Sequence, residues 1–167
     1  MTVTSEEFKQ GMRRLGGAVN IITTSHDGVF AGLTATAVTS LSSEPPKLLA
    51  CINRAGVTYE TISKGRCLGV NVLGVQHRDM AMLFAGMDGT AETDRFASAE
   101  WTTGKGGAPL LQGALVSFDC EVDSILDAGS HAIVIGTIKA VHLPADAAIA
   151  PLCYLAGNWM TMTSFAE

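Results

Sequence analysis

The chain has 167 residues, 47% hydrophobic and 16% charged, a length and composition that predict one compact domain, residues 1–167, with a sizeable core. A formal net charge of −5 and a pI near 5.3 exclude nucleic acid and an anionic membrane as main partners, and leave room for a local cationic pocket that takes one phosphate. No apolar run nears the roughly 18 residues of a membrane span, Cys51, Cys67, Cys120 and Cys153 lie apart without a C-x-x-C pair, and the polar opening "MTVTSEEFKQ" is no signal peptide, so reduced cysteines and a cytoplasmic location are expected.

Thr4 and Glu7 have capping-box spacing and Phe8, Met12 and Leu15 share one helical face, which predicts a short amphipathic helix over residues 5–15, ending at Gly16-Gly17. "AVNIITTS" predicts a strand, "HDG" at residues 26–28 a hairpin turn, and a second strand begins near Val29. The stretch "GLTATAVTSLSSEPPKLLACINR", residues 32–54, opens with small and β-branched residues, turns at Pro45-Pro46 and continues as a third strand over residues 47–53. "VTYETISKG" reads as a brief helix closed by Gly65, "CLGVNVL" as a strand, and "QHRDMAMLFAG" as a helix with Met80, Leu83 and Phe84 at helical spacing.

Residues 88–109, rich in Gly, Thr and charge, predict a long surface excursion carrying Phe96 and Trp101. Beyond it, Val116, Phe118, Cys120 and Val122 alternate with Ser117, Asp119, Glu121 and Asp123, the period of a strand with one wet face. His131 to His142 is a further strand, and "PLCYLAGNWMTMT" has strand character. Strands joined by short turns, with helices as additions, predict a mainly β fold: a closed or nearly closed antiparallel barrel with peripheral helices.

Several chemistries are missing. There is no G-x-S-x-G elbow, no H-E-x-x-H and no phosphate loop, and "GKGGAP" at residues 104–109 does not lead from a strand into a helix, so it reads as a flexible loop. His26, His77, His131 and His142 have no metal-ligand spacing, and no metal is expected.

Residues 32–54 carry the strongest chemical signal. Thr34, Thr36, Thr39, Ser40, Ser42 and Ser43 offer hydroxyls, and Gly32, Ala35 and Ala37 would let a flat ligand approach the backbone. Read structurally, the same residues make a Thr-rich edge strand. Arg54 and Thr58 flank the loop "AGV" just before a helix start, where a guanidinium, a hydroxyl and backbone N–H groups can converge on a phosphate. Taken alone, Arg54 is most often a solvated loop charge.

In their order, "AVNIITT", "GLTATAVTSLSSEPPKLLACIN", "VNVL", "LFAG" followed by "DRF", "GAP" and "GSHAIVIG" resemble the flavin reductase-like family over nearly the whole chain. Its members are the small NAD(P)H:flavin oxidoreductases of two-component flavin monooxygenases such as 4-hydroxyphenylacetate hydroxylase. The second segment is the most specific. In "GSH" many members carry an acidic residue where Ser130 stands.

The resemblance implies a homodimeric, FMN-binding split β-barrel of antiparallel Greek-key type, with the flavin in a groove near the subunit interface. It implies that Thr34, Ala35, Thr36, Ala37, Val38 and Ser40 line the isoalloxazine and ribityl chain, with Cys51, Ile52 and Asn53 on the facing strand. Arg54 and Thr58 would meet the phosphate, Phe84 and Arg95 would lie at the rim, and His131 would stand near the reactive face. From the residues alone, His131 is as readily a half-exposed strand-start residue.

The implied cofactors are FMN or FAD with NADH or NADPH. Three functions follow: a reductase that hands diffusible flavin to an oxygenase component, an FMN-bound reductase of another acceptor such as a corrinoid, and a non-catalytic flavin-binding barrel. The acceptor surface would vary at residues 88–108 and 143–151.

Overall fold

The computed structural model describes residues 2–144 and 149–163, so residues 145–148 of the expected acceptor surface lie outside the described residues. Three helices, α1 (Ser5–Met12), α2 (Val57–Gly65) and α3 (Arg78–Phe84), accompany a set of strands. The first six strands are β1 (Gly17–Ala18), β2 (Asn20–His26), β3 (Val29–Ala35), β4 (Val38–Ser43), β5 (Pro46–Asn53) and β6 (Cys67–Val72). The others are β7 (Trp101–Thr103), β8 (Pro109–Leu111), β9 (Val116–Ala128), β10 (His131–His142), β11 (Cys153–Leu155) and β12 (Asn158–Met160).

Seven strands form one antiparallel sheet in the order β3-β2-β6-β9-β10-β5-β4, and β3 also meets β5, so the sheet curls on itself. Consecutive strand residues face opposite sides. Ile22 of β2 therefore points inward to Leu48, Ile52, Leu68, Val70 and Val134, and α2 adds Ile62 to that interior. Ile21, its neighbour, points outward to Val19, Leu73, Phe84 and Phe96. Each fully buried aliphatic side chain of this kind contributes about 2 kcal/mol, which is why one strand can hold two clusters together. Between β2 and β3 the turn residues Asp27 (φ 49°) and Gly28 (φ 78°) both take the left-handed conformation, as a two-residue hairpin requires.

Four expectations change. The capping box of α1 is present, with Thr4 N–H donating to Glu7 Oε2 at 2.9 Å and Glu7 N–H to Thr4 Oγ1 at 3.2 Å. The helix nevertheless stops at Met12, and Phe8, Met12 and Leu15 stay exposed; with no buried face, only local propensity sustains it. At the end of α2, Arg66 (φ 55°), not Gly65, takes the left-handed position. Gly65 is needed for proximity instead: a Cβ there would lie 1.9 Å from the Ser25 carbonyl oxygen.

Third, residues 88–109 are not simply a surface excursion. Phe96 is buried against Phe84 (ring centroids 5.1 Å apart, nearly perpendicular) and Trp101 (5.0 Å), and β7 and β8 pair beyond them. Fourth, that hairpin covers the face of β9 predicted to be wet. Ser117 and Asp119 are 2% and 1% exposed, because Ser117 donates to Asn71 Oδ1 and Asp119 accepts from the Lys105 N–H. The rest of the alternation, Glu121 and Asp123, is exposed as predicted. Strand β4 is separate from β3, and the two are joined at a corner formed by Thr36 and Ala37.

Candidate active site

That corner makes one wall of a groove of about 410 Å³. The chain leaves β3, and its pairing with β2, after Ala35 and joins β5 through β4, where Cys51 N–H donates to the Ala37 carbonyl at 3.0 Å and Val38 N–H to the Thr36 carbonyl at 3.0 Å. Between the two ladders, the N–H groups of Thr36 and Ala37 donate to no other group among the described residues. Backbone donors in folded proteins are almost always paired, so two open ones side by side face solvent or a ligand. The small side chains Ala35 and Ala37 keep the approach clear. Thr34 lines the groove, but its hydroxyl proton is given to the Ala81 carbonyl at 2.7 Å, which leaves its oxygen able only to accept.

The opposite wall comes from the ends of β5 and β10, paired so that His131 stands across from Asn53. Strand alternation turns Cys51 and Asn53 to the groove and Ile52, fully buried, into the barrel interior. Asn53 Oδ1 accepts the Ala55 N–H at 3.0 Å, so its amide nitrogen is the end left to donate. His131 is exposed, with Nδ1 3.0 Å from the Ser130 hydroxyl, and Nε2 points away from that contact. Residue 130, where the family often has an acid, thus holds the imidazole through a hydroxyl.

Phe84 and Arg95 border the groove from below, both nearly fully buried rather than at a rim. Arg95 Nη1 donates to the carbonyls of Phe84 (2.9 Å) and Gly32 (3.3 Å), and Nε and Nη2 both donate to that of Thr90. Its guanidinium is therefore a clamp that ties the loop before it to β3 and α3.

The expected phosphate end is arranged differently from the sequence reading. Arg54 lies outside the groove lining; its Nη1 donates to Asp127 Oδ2 at 2.5 Å and to the Gly129 carbonyl at 3.0 Å. Its guanidinium also lies 5.9 Å from the Tyr59 ring centroid. Thr58 is fully buried at the start of α2, and both its N–H (2.7 Å) and its hydroxyl (2.5 Å) donate to Glu92 Oε2. Glu92 itself lines the groove beside Gly56. Val38 packs against the barrel core and Ser40 is exposed on the edge strand β4, both outside the groove.

Sequence reasoning missed Glu92, which looks like any acid in a polar loop. It also missed an apolar hollow of about 270 Å³ that shares Thr34, Ala35, Thr36 and Ala85 with the groove and is closed by Met87, Tyr154 and Trp159. Tyr154 and Trp159 stack edge-on at 5.1 Å across the β11–β12 turn. Their spacing in a strand-like tail was visible; that the tail returns to the corner was not.

A curled antiparallel barrel with two open backbone donors at a strand corner, polar side chains on the facing strand and an apolar annex defines a small β protein with a groove suited to a flat, partly polar ligand. The chain belongs to the family described as Flavin reductase like domain, whose model matches residues 12–163. It is 44% identical over 140 residues to FMN reductase (NADH) RutF of Stutzerimonas stutzeri, covering 84% of this chain and 79% of that one. It is 43% identical over 137 residues to FMN reductase (NADH) RutF 2 of Rhizobium rhizogenes, covering 82% and 78%. Among solved structures, one from Haemophilus somnus 129pt superimposes with a TM-score of 0.90 at 38% identity, covering 96% of this chain and all of that one. BorF, the flavin reductase component of a bacterial two-component tryptophan halogenase, gives 0.86 at 25% identity over 97% and 100%.

Proposed function

We propose that this chain is an NADH-dependent flavin reductase that takes FMN into the groove between the Thr34–Ala37 corner and the ends of β5 and β10. Residues 1–167 act as one domain of this kind. The observation that carries the reading is the pair of open N–H groups at Thr36 and Ala37, found in a chain 44% identical to an FMN reductase. A flavin held there would supply the redox chemistry, accepting a hydride as NADH is oxidised to NAD⁺, and would carry added negative charge once reduced.

The protein's part is to hold and to stabilise. The Thr36 and Ala37 N–H groups donate to developing negative charge, and because the strand ladders on either side fix them they need no reorganisation when it appears. Cys51 and Asn53 bound the opposite wall, and the Asn53 amide is free to donate. His131, with its Nδ1 engaged by Ser130, offers Nε2 to the nicotinamide side and orients it. FAD, named with NADH for a structural neighbour, is an alternative flavin, and NADPH an alternative donor.

A homodimer is supported by the open edge of β4 and by the exposed Phe8, Met12 and Leu15 beside the corner. Delivery to an oxygenase or halogenase component is supported by the likeness to BorF. The relatives' names favour flavin over a corrinoid as acceptor. Among the described residues no helix is long and apolar enough to cross a membrane, and no cluster of His, Cys, Asp or Glu is placed to hold a metal ion. Cys51, Cys67, Cys120 and Cys153 are free thiols.

Steady-state oxidation of NADH with and without added FMN, on protein whose bound flavin has been measured, tests the proposal. Turnover that rises with added FMN is the expected result. NADH oxidation that ignores added flavin, or none at all, would overturn it.

A further inference from the structure

The start of α2 already holds an anion. Its N-cap, Gly56, has no side chain with which to cap the helix, and the Glu92 carboxylate arrives from a distant loop to do so, accepting from both Thr58 donors through one oxygen. The other oxygen lies 3.0 Å from where a Gly56 Cβ would be, so a side chain at residue 56 would crowd the carboxylate. Glu92 and Gly56 both line the groove, and Arg54, the cation expected beside them, is turned to Asp127 and Gly129. The seat a terminal phosphate would seek is therefore filled by the protein's own carboxylate, while the cation that would draw the phosphate is engaged elsewhere.

We propose that Glu92 is a specificity-determining residue that competes with the terminal phosphate of the flavin and so narrows the preference of the groove for FMN over riboflavin. This rests on the flavin reading above. Two anions cannot share one helix start: the helix dipole and the Thr58 donors stabilise one negative group, and a second meets like-charge repulsion. FMN binds only in the fraction of molecules whose Glu92 has swung out, and its apparent affinity falls by that fraction. Riboflavin has no phosphate and leaves Glu92 in place. The arrangement suits a protein that must release flavin after reducing it, because the carboxylate is ready to retake the seat as the phosphate leaves.

The test compares two ligands on three proteins by flavin fluorescence titration: FMN and riboflavin on wild type, Glu92→Gln and Glu92→Ala, each first shown to be folded by circular dichroism. Glu92→Gln keeps an oxygen acceptor for Thr58 and removes the charge; Glu92→Ala empties the seat. Both should tighten FMN about tenfold and leave riboflavin within about twofold of wild type. Unchanged or weakened FMN affinity would overturn the proposal, since the carboxylate would then be no competitor. Equal tightening of both ligands would also overturn it, by placing the effect on the ring or ribityl chain. If wild type and variants bind neither ligand, the flavin reading itself fails, a result distinct from the other two.

Discussion

Two parts of this barrel are built from the same kinds of residue and behave in opposite ways. Beneath the β7–β8 hairpin, Asn71 donates to the Ile21 carbonyl and to Thr23 Oγ1 and accepts from Leu111 N–H and Ser117 Oγ, and Thr23 in turn donates to the Pro109 carbonyl. Every donor and acceptor of the Asn71 side chain is answered inside the fold. At the strand corner, Thr36, Ala37, Asn53 and His131 keep at least one hydrogen-bonding atom open to the groove. Polar composition marks both regions; only the balance of hydrogen bonds separates scaffold from site.

The contrast breaks most visibly at Asn71. Asn71→Leu leaves the Leu111 N–H and the Ser117 hydroxyl unpaired and should cost about 4 kcal/mol, or roughly 10 °C in Tm for a chain of this length. Thermal unfolding followed by circular dichroism measures it, and flavin affinity of the folded protein should not change. His131→Ala is the converse. It should lower the flavin reduction rate in stopped flow about tenfold, with Tm and FMN affinity near wild type because the imidazole has only the Ser130 contact.

Thiol labelling sharpens the comparison further. Cys51 lines the groove half-exposed, whereas burial, aided by the neighbouring Asp119 charge, pushes the Cys120 thiol up to about 12. An alkylating agent at pH 8 should therefore modify Cys51 of the native protein and spare Cys120, and FMN should protect Cys51, as peptide mass mapping can read.

The smallest effect is on acid stability. Hydrogen bonds from Lys47, Lys139 and Thr4 hold the carboxyls of Asp123, Glu121 and Glu7 below their ordinary values of 3.8 for Asp and 4.5 for Glu. Their contribution is present in full above those values and is lost as pH falls through the lowered ones. All three are solvated, so urea midpoints should stay level from pH 7 to about 5 and soften only below about 4.

Local signals made much of the fold legible. The Asp27-Gly28 turn, the run from His131 to His142 and the helix "VTYETISKG" depend on neighbouring residues, and all three take the expected form. Ser117 and Asp119 were misjudged because strand alternation shows that a face is polar and cannot show that the hairpin just upstream will fold back over it. Phe96 and Trp101 were placed on the surface for the same reason. At the site, the resemblance supplied Thr34 to Ala37, Cys51, Asn53 and His131, which line one groove. What the sequence did not show at Arg54 and Thr58 is their partners in this structure, Asp127 and Glu92, each more than thirty residues away.

Gly65 acts as a spacer by having nothing to insert. Its α-carbon lets the last turn of α2 rest directly on the Ser25 carbonyl, and the first turn of the same helix carries Gly56 and Thr58 at the groove. A single methyl at one end would tip the whole rod, which runs across nine residues. Thickness at residue 65 is thus a calibration of reach at residue 58, and substitutions that look harmless at a helix terminus would be felt first as a misplaced anion seat at the far end.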